Sequence, residues 1–155
     1  VLKPLLPDNE AVRALNNVFA AETSYIEAGD WARLVAQARV AVFAAPADAF
    51  LLVLDHDADY DSPNFLWWKE RRDRFLYVDR VVVAATAQGR GLGRQLYAHA
   101  VDEARRLGFE RIVCEINIDP PNPGSVAFHT ALGFTPAGEQ KLSNGKTVGY
   151  FELEL

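Results

Sequence analysis

The stretch from Phe75 to Ile118 constrains the fold more than any other part of the chain. It reads as a β-type run, "FLYVDRVVV" (75–83), then a glycine-rich turn, "QGRGLGR" (88–94), then a helical run, then a second β-type run, "RIVCEINI" (111–118). Leu92, Leu96, Ala100, Ala104 and Leu107 recur at helical spacing. Gly108 stands where a left-handed helix cap is expected. Two strands joined through a helix form a crossover, so these two are expected to lie parallel.

The remaining segments suit antiparallel neighbours. "VLKPLL" predicts a short strand, and Pro4 confines it to an edge. Asp8 offers an N-cap to a helix carrying Val12, Leu15 and Phe19, and Gly29 and Asp30 open a second with Trp31, Leu34, Val35 and Ala38 on one face. Strands are predicted at 40–45 and 50–55, with a turn at 46–48. A polar loop (56–63) leads to a helix at 64–74, with Ser62 as cap and Pro63 at its first position. A short helix, "GSVAFHTAL", closes at Gly133, and Asn144-Gly145 marks a final hairpin. The expectation is one α/β domain over 1–155 with a mixed sheet. "GYFELEL" is expected to end the chain on an open edge, where pairing with a second copy would give a homodimer.

Composition excludes several function classes. With 16 Lys and Arg against 21 Asp and Glu, the net charge of −5 argues against a nucleic-acid footprint. Cys114 is the only cysteine, which leaves no intramolecular disulfide and no Cys-based zinc site. "DADYD" (57–61) mimics the start of a calcium loop, but Ser62 and Trp68 stand where Gly and Glu are needed, so no metal is expected. No apolar run reaches the ~20 residues of a membrane span. "VLKPLLPDNE" lacks the apolar stretch of a signal peptide, so the expected location is cytoplasmic.

A glycine turn between strand and helix suggests a phosphate site, because free N–H groups of the first helical turn point at the anion. The P-loop pattern fails here for want of a Lys-Ser/Thr pair, and the dinucleotide pattern fails because Arg94 stands where a third glycine is needed. What remains is Gln-x-x-Gly-x-Gly: Gln88, Gly89, Arg90, Gly91, Leu92, Gly93. A second motif, "NPGSVAFHTALGF", places Asn122, Ser125, Phe128, His129, Gly133 and Phe134 in register after the next strand.

Together, over about residues 75–135, these motifs resemble the GNAT superfamily of N-acyltransferases. The resemblance implies a GNAT-like fold: a central, mostly antiparallel mixed sheet with one parallel crossover and helices on both faces. It also implies acetyl-CoA as cofactor and a primary amine of a small molecule or peptide as acceptor. Its cofactor-binding residues would be Val81, Val82 and Val83 on the bulged strand, Gln88 to Arg94, and Asn122, Ser125, Phe128 and His129. The chain departs from the family at His129, where a tyrosine is usual, in the "DPP" before Asn122, and in the segment 56–74, whose aromatics stand beside the cofactor strand.

The chemistry needs a base, because an alkyl ammonium of pKa ~10.4 is neutral in only about one molecule in 10³ at pH 7. Glu115 lies mid-strand, on the face opposite Ile112, Cys114 and Ile116. It reads either as that base or as a structural carboxylate paired to an arginine. Asp79, beside Arg80, is the second candidate. His129 reads either as the acid that meets the leaving thiolate or as packing beside the cofactor. The rival functions are a non-catalytic acyl-CoA sensor and a transferase for a bulkier acyl group. Cys114, mid-strand, is a poor covalent relay.

Overall fold

Residues Ala49 to Leu54 are all buried, and their side chains alternate between two separate cores. Phe50, Leu52 and Leu54 pack with Trp31, Leu34, Phe65 and Trp68. Ala49, Leu51 and Val53 pack with Leu96, Ala100, Ala104 and Phe134. The period of two along an extended chain thus places this strand at the middle of a three-layer structure. The computed structural model describes residues 1–155.

Seven strands form one sheet: β1 (Leu2–Pro4), β2 (Val40–Ala44), β3 (Ala49–Asp55), β4 (Leu76–Val83), β5 (Arg111–Asp119), β6 (Thr135–Lys141) and β7 (Thr147–Glu154). Their order is β1-β2-β3-β4-β5-β7-β6, and only β4 and β5 run parallel. Helices α1 (Glu10–Val18), α2 (Ala20–Thr23), α3 (Ala28–Gln37) and α4 (Pro63–Lys69) precede β4; α5 (Leu92–Leu107) and α6 (Pro123–Leu132) follow it. Trp31 and Leu34 of α3 and Phe65 and Trp68 of α4 fill one core, and α5 fills the other. The mixed sheet and the parallel crossover agree with the sequence. No helix is long and apolar enough to cross a membrane.

Several boundaries move. Asn9, not Asp8, caps α1, its side chain accepting a hydrogen bond from the Val12 N–H at 3.0 Å. The expected first helix breaks at Phe19, where Thr23 turns its hydroxyl back to the Asn16 and Phe19 carbonyls. α3 starts at Ala28, ahead of Asp30, whose carboxylate pairs with Arg33 instead of capping. Ser62 holds the cap position of α4 without a side-chain bond, and Pro63 starts the helix. That helix ends at Lys69, and the arginines beyond it are used elsewhere. Arg71 stacks on Trp67 at 4.0 Å, and Arg72 binds Glu152 at 2.9 Å.

The last strand is not an edge. β7 lies between β5 and β6 and pairs with β5 from Arg111 to Asp119. The edges are β1 and β6, so the expected pairing of "GYFELEL" with a second copy has no free strand to start from. The hairpin turn itself forms as expected, with Gly145 at φ +88° and the Lys146 N–H donated to Asn144 Oδ1 at 2.9 Å.

Candidate functional site

β4 and β5 pair at only two positions, Leu76 with Ile112 and Tyr77 with Val113. Beyond them the strands part. A bulge helps: on β3, Leu52 faces Arg80 and the next residue, Val53, faces Val78, so Asp79 is the extra residue of β4. The bulge reverses the alternation, with Leu76 and Val78 facing the α5 core before it and Val81 and Val83 after it. A cleft with a volume of about 720 Å³ opens where the strands separate, walled by β4 from Val78 to Val83 and by β5 from Cys114 to Asn117.

The glycine turn stands at one end of this cleft. Gly89 (φ +83°) and Gly91 (φ +74°) adopt the left-handed backbone that side chains resist. Gly93 serves a different need: a Cβ there would lie 3.0 Å from the ring of Phe128 on α6. No side chain caps α5, so its first-turn N–H groups stay open to an anion. Arg94 lines the cleft. Arg90 turns away and ties the loop to the β2–β3 turn through Asp48 at 2.6 Å. The residues present therefore fit a pyrophosphate.

The far wall is the start of α6. Asn122 caps this helix, accepting the Ser125 N–H at 3.3 Å. His129 is buried, with 5% of its surface exposed. Its Nδ1 lies 2.8 Å from the Ser125 carbonyl oxygen, which can only accept, so Nδ1 carries the proton. Nε2 is then the acceptor, and the Tyr97 hydroxyl donates to it at 2.6 Å. Burial pulls the His129 pKa down, so the ring is neutral and its one N–H is already in use. Burial likewise holds the Tyr97 hydroxyl protonated.

Glu115 lies deeper, on the face away from Cys114. By area it is only partly buried, but its open edge faces the cleft and protein surrounds the carboxyl. Burial first, then the charge of Asp79, push its pKa up to about 8. Hydrogen bonds to the charged form work in the opposite direction: Tyr77 donates to both oxygens at 2.8 Å, and Asn64 Nδ2 donates to Oε1 at 3.2 Å. Asp79 is held by Arg80 at 3.0 Å, and Arg80 is itself anchored on Asn16 and the Ser24 carbonyl. Burial pushes the Cys114 thiol well up, which suppresses the thiolate.

One cleft thus gathers Asp79, Val81, Val82, Val83, Gln88, Gly89, Gly91, Leu92, Gly93, Arg94, Glu115, Asn122, Ser125, Phe128 and His129. Of the candidate catalytic and cofactor-binding residues read from the sequence, Arg90 alone stays outside. Glu115 has tyrosine and asparagine partners and no arginine, unlike the structural reading of it. Trp31, Phe65, Trp67 and Trp68 are core, while Tyr60, Ser62 and Asn64 of the 56–74 segment reach the cleft. Sequence reasoning missed Tyr97, Tyr77, Asn64 and Tyr150. Tyr97 adjoins the helical stripe of α5 and reads as core, and its partner is 32 residues away.

The profile of the Acetyltransferase (GNAT) family matches residues 34–134. The L-methionine sulfoximine/L-methionine sulfone acetyltransferase of Salmonella typhimurium is 40% identical over 62 residues, which are 40% of this chain and 35% of that protein. The phosphinothricin N-acetyltransferase of Streptomyces viridochromogenes is 33% identical over 87 residues, 56% of this chain and 46% of that protein. The match thus spans less than half the length of either relative. Among solved structures, yncA of Salmonella typhimurium with its cofactor acetyl-CoA aligns with a TM-score of 0.72 at 20% identity, over 100% of this chain and 93% of that one. The ribosomal-protein-alanine N-acetyltransferase of Brucella melitensis aligns with a TM-score of 0.74 at 19% identity, over 100% and 99%. These two likenesses concern the fold.

Proposed function

The chain belongs to the acetyltransferase (GNAT) family, and on that premise we propose that it transfers an acetyl group from acetyl-CoA to a primary amine of a small molecule, by direct attack in a ternary complex. The observation that carries this reading is the cleft between β4 and β5. It runs from open helix N–H groups at α5 to a carboxyl titrating near 8 at Glu115.

Acetyl-CoA supplies an activated thioester when bound. In this reading Gly89, Gly91, the first turn of α5 and Arg94 hold its pyrophosphate, and Val81 to Val83 offer the backbone of a parted strand to its arm. Asn122, Ser125 and Phe128 form the opposite wall. Glu115 takes the proton of the acceptor ammonium; a base titrating near the working pH combines adequate strength with an adequate ionised fraction. Asp79, tied to Arg80, adds negative charge beside it, and the pair of acidic groups favours a cationic acceptor once Glu115 is ionised. The second proton lost by the amine passes to the departing thiolate through the Tyr97 hydroxyl, which turns from His129 Nε2 to relay it and stays protonated itself. The high thiol pKa of Cys114 disfavours a covalent relay.

A small acceptor is favoured over a long peptide by the cleft's mouth, where Lys146 of the hairpin turn reaches across to the Ala21 carbonyl at 3.3 Å. Two relatives are also named for small acceptors, L-methionine sulfoximine or sulfone and phosphinothricin. The test is acceptor-dependent CoA release over a panel of amines. Release with small amines is expected. Binding of acetyl-CoA with no release for any amine would instead favour a sensor.

A further inference from the structure

Glu115 and Tyr150 are direct partners across β5 and β7, yet their polar groups do not bond to each other. Asn64, from the first turn of α4, stands between them. The Tyr150 hydroxyl donates to Asn64 Oδ1 at 2.8 Å, and Asn64 Nδ2 donates to Glu115 Oε1 at 3.2 Å. We propose that Asn64 is a positioning residue: oriented by Tyr150, it holds the Glu115 carboxyl in one rotamer and favours its ionised form. This rests on the reading of Glu115 as the base.

The orientation follows from the donors and acceptors available. A hydroxyl proton placed on Oδ1 leaves the amide only donors for its other side, and donors suit a carboxylate. The opposite orientation would set Oδ1 against the carboxylate oxygen and repel the ionised form. Tyr150 thus transmits a preference through Asn64. The arrangement is held from behind. Trp67, three residues along α4, stacks on Tyr150 with ring centroids 3.9 Å apart, and Arg71 covers the other face of Trp67. Gly138, beside the bulge of β6, makes room for that ring; a Cβ there would lie 2.6 Å from Trp67. The aromatics of segment 56–74 therefore fix α4, and α4 delivers one amide to the site.

The other groups around the carboxyl are accounted for. Tyr77 and Asp79 face it from β4, with Arg80 paired to Asp79, and Tyr60 lies beside that pair. Tyr97 approaches from α5 with His129 behind it, Cys114 adjoins on β5, and Arg71 acts on Tyr150. Asp79 opposes ionisation of Glu115, and burial does the same. The hydrogen bonds of Tyr77 and Asn64 oppose both.

The experiment reads the carboxyl directly. In glutamate-¹³C-labelled protein, the Glu115 carboxyl signal is the one missing in Glu115→Gln, and its titration needs neither acceptor nor turnover. Asn64→Ala is expected to raise the midpoint by about one unit, because a donor to the charged form is lost. Tyr150→Phe keeps the ring stack and is expected to shift the midpoint in the same direction by less. With an acceptor found in the amine panel, Asn64→Ala should lose roughly tenfold in kcat/KM at pH 7 and recover above pH 9. A purely structural loss would lower the rate equally at every pH. Full activity in Glu115→Gln would sink the base reading and with it the catalytic role of Asn64. An inactive Glu115→Gln with unmoved midpoints in both other variants would overturn this inference alone.

Discussion

The Tyr97 hydroxyl donates to His129 Nε2 at 2.6 Å, while the other imidazole nitrogen is tied to the Ser125 carbonyl. Where the family usually has a tyrosine on α6, this chain has a histidine on α6 with a tyrosine from α5 against it. The neutral imidazole has no N–H left for a ligand. The hydroxyl is the group that can turn toward one.

Removal of that hydroxyl tests its role. Tyr97→Phe is expected to lower kcat by about ten- to a hundredfold, at or below the bottom of the range for a positioned acid, because a thiolate is a good leaving group. His129→Phe is expected to cost less. It should also leave the pH profile between about 7 and 9 unchanged, since a pKa pulled below the ordinary 6.5 leaves the ring mostly neutral there. A pH limb lost in His129→Phe would show that the imidazole itself titrates in the reaction.

Glu115 makes stability depend on pH. Its folded pKa of about 8 lies above the ordinary value of 4.5, so between them the folded chain keeps a proton that the unfolded chain has released. Its stabilising contribution is present below about pH 4.5 and is lost as pH rises through 8. Denaturant unfolding without acetyl-CoA should show wild type losing roughly a few kcal/mol relative to Glu115→Gln across that window. His129, with its lowered pKa, contributes the opposite trend below its ordinary 6.5, but equally in both proteins, so it cancels in the difference. Parallel curves would exclude a raised carboxyl.

The two loop arginines should separate. Arg94 lines the cleft and Arg90 is paired with Asp48 outside it. Calorimetric titration with CoA is expected to give a Kd about tenfold weaker for Arg94→Ala, the loss of a charge-assisted contact of roughly 1.5 kcal/mol. For Arg90→Ala the expected change is under threefold, because a half-exposed ion pair contributes little. The reverse ranking would mean that the loop turns over on binding.

The loop glycines should fail for different reasons. Gly91→Ala forces a side chain into the left-handed region, at a cost of roughly 1–2 kcal/mol in folding stability. Gly93→Ala has no such strain but presses on Phe128, which must shift by a few tenths of an ångström. It is expected to weaken CoA binding more than it lowers Tm. Equal losses of stability and binding in both would contradict this division.

The sequence by itself determined the mixed sheet, the crossover and the glycine turn at one end of the cleft. These depend on local chemistry: apolar periods of two and 3.6, and glycines where the backbone turns left-handed. Each acts within a few residues, so each is written in one short stretch. Only the tertiary structure decided the rest. Asp79 became the bulged residue through its register against β3, β7 entered between β5 and β6, and Arg90 left the cleft for Asp48. Tyr97 met His129 from 32 residues away, and Asn64 met Glu115 from 51. Their hydrogen bonds form only after the sheet and helices have packed, and a side chain's identity says what it can donate or accept without saying which distant partner the packing will bring.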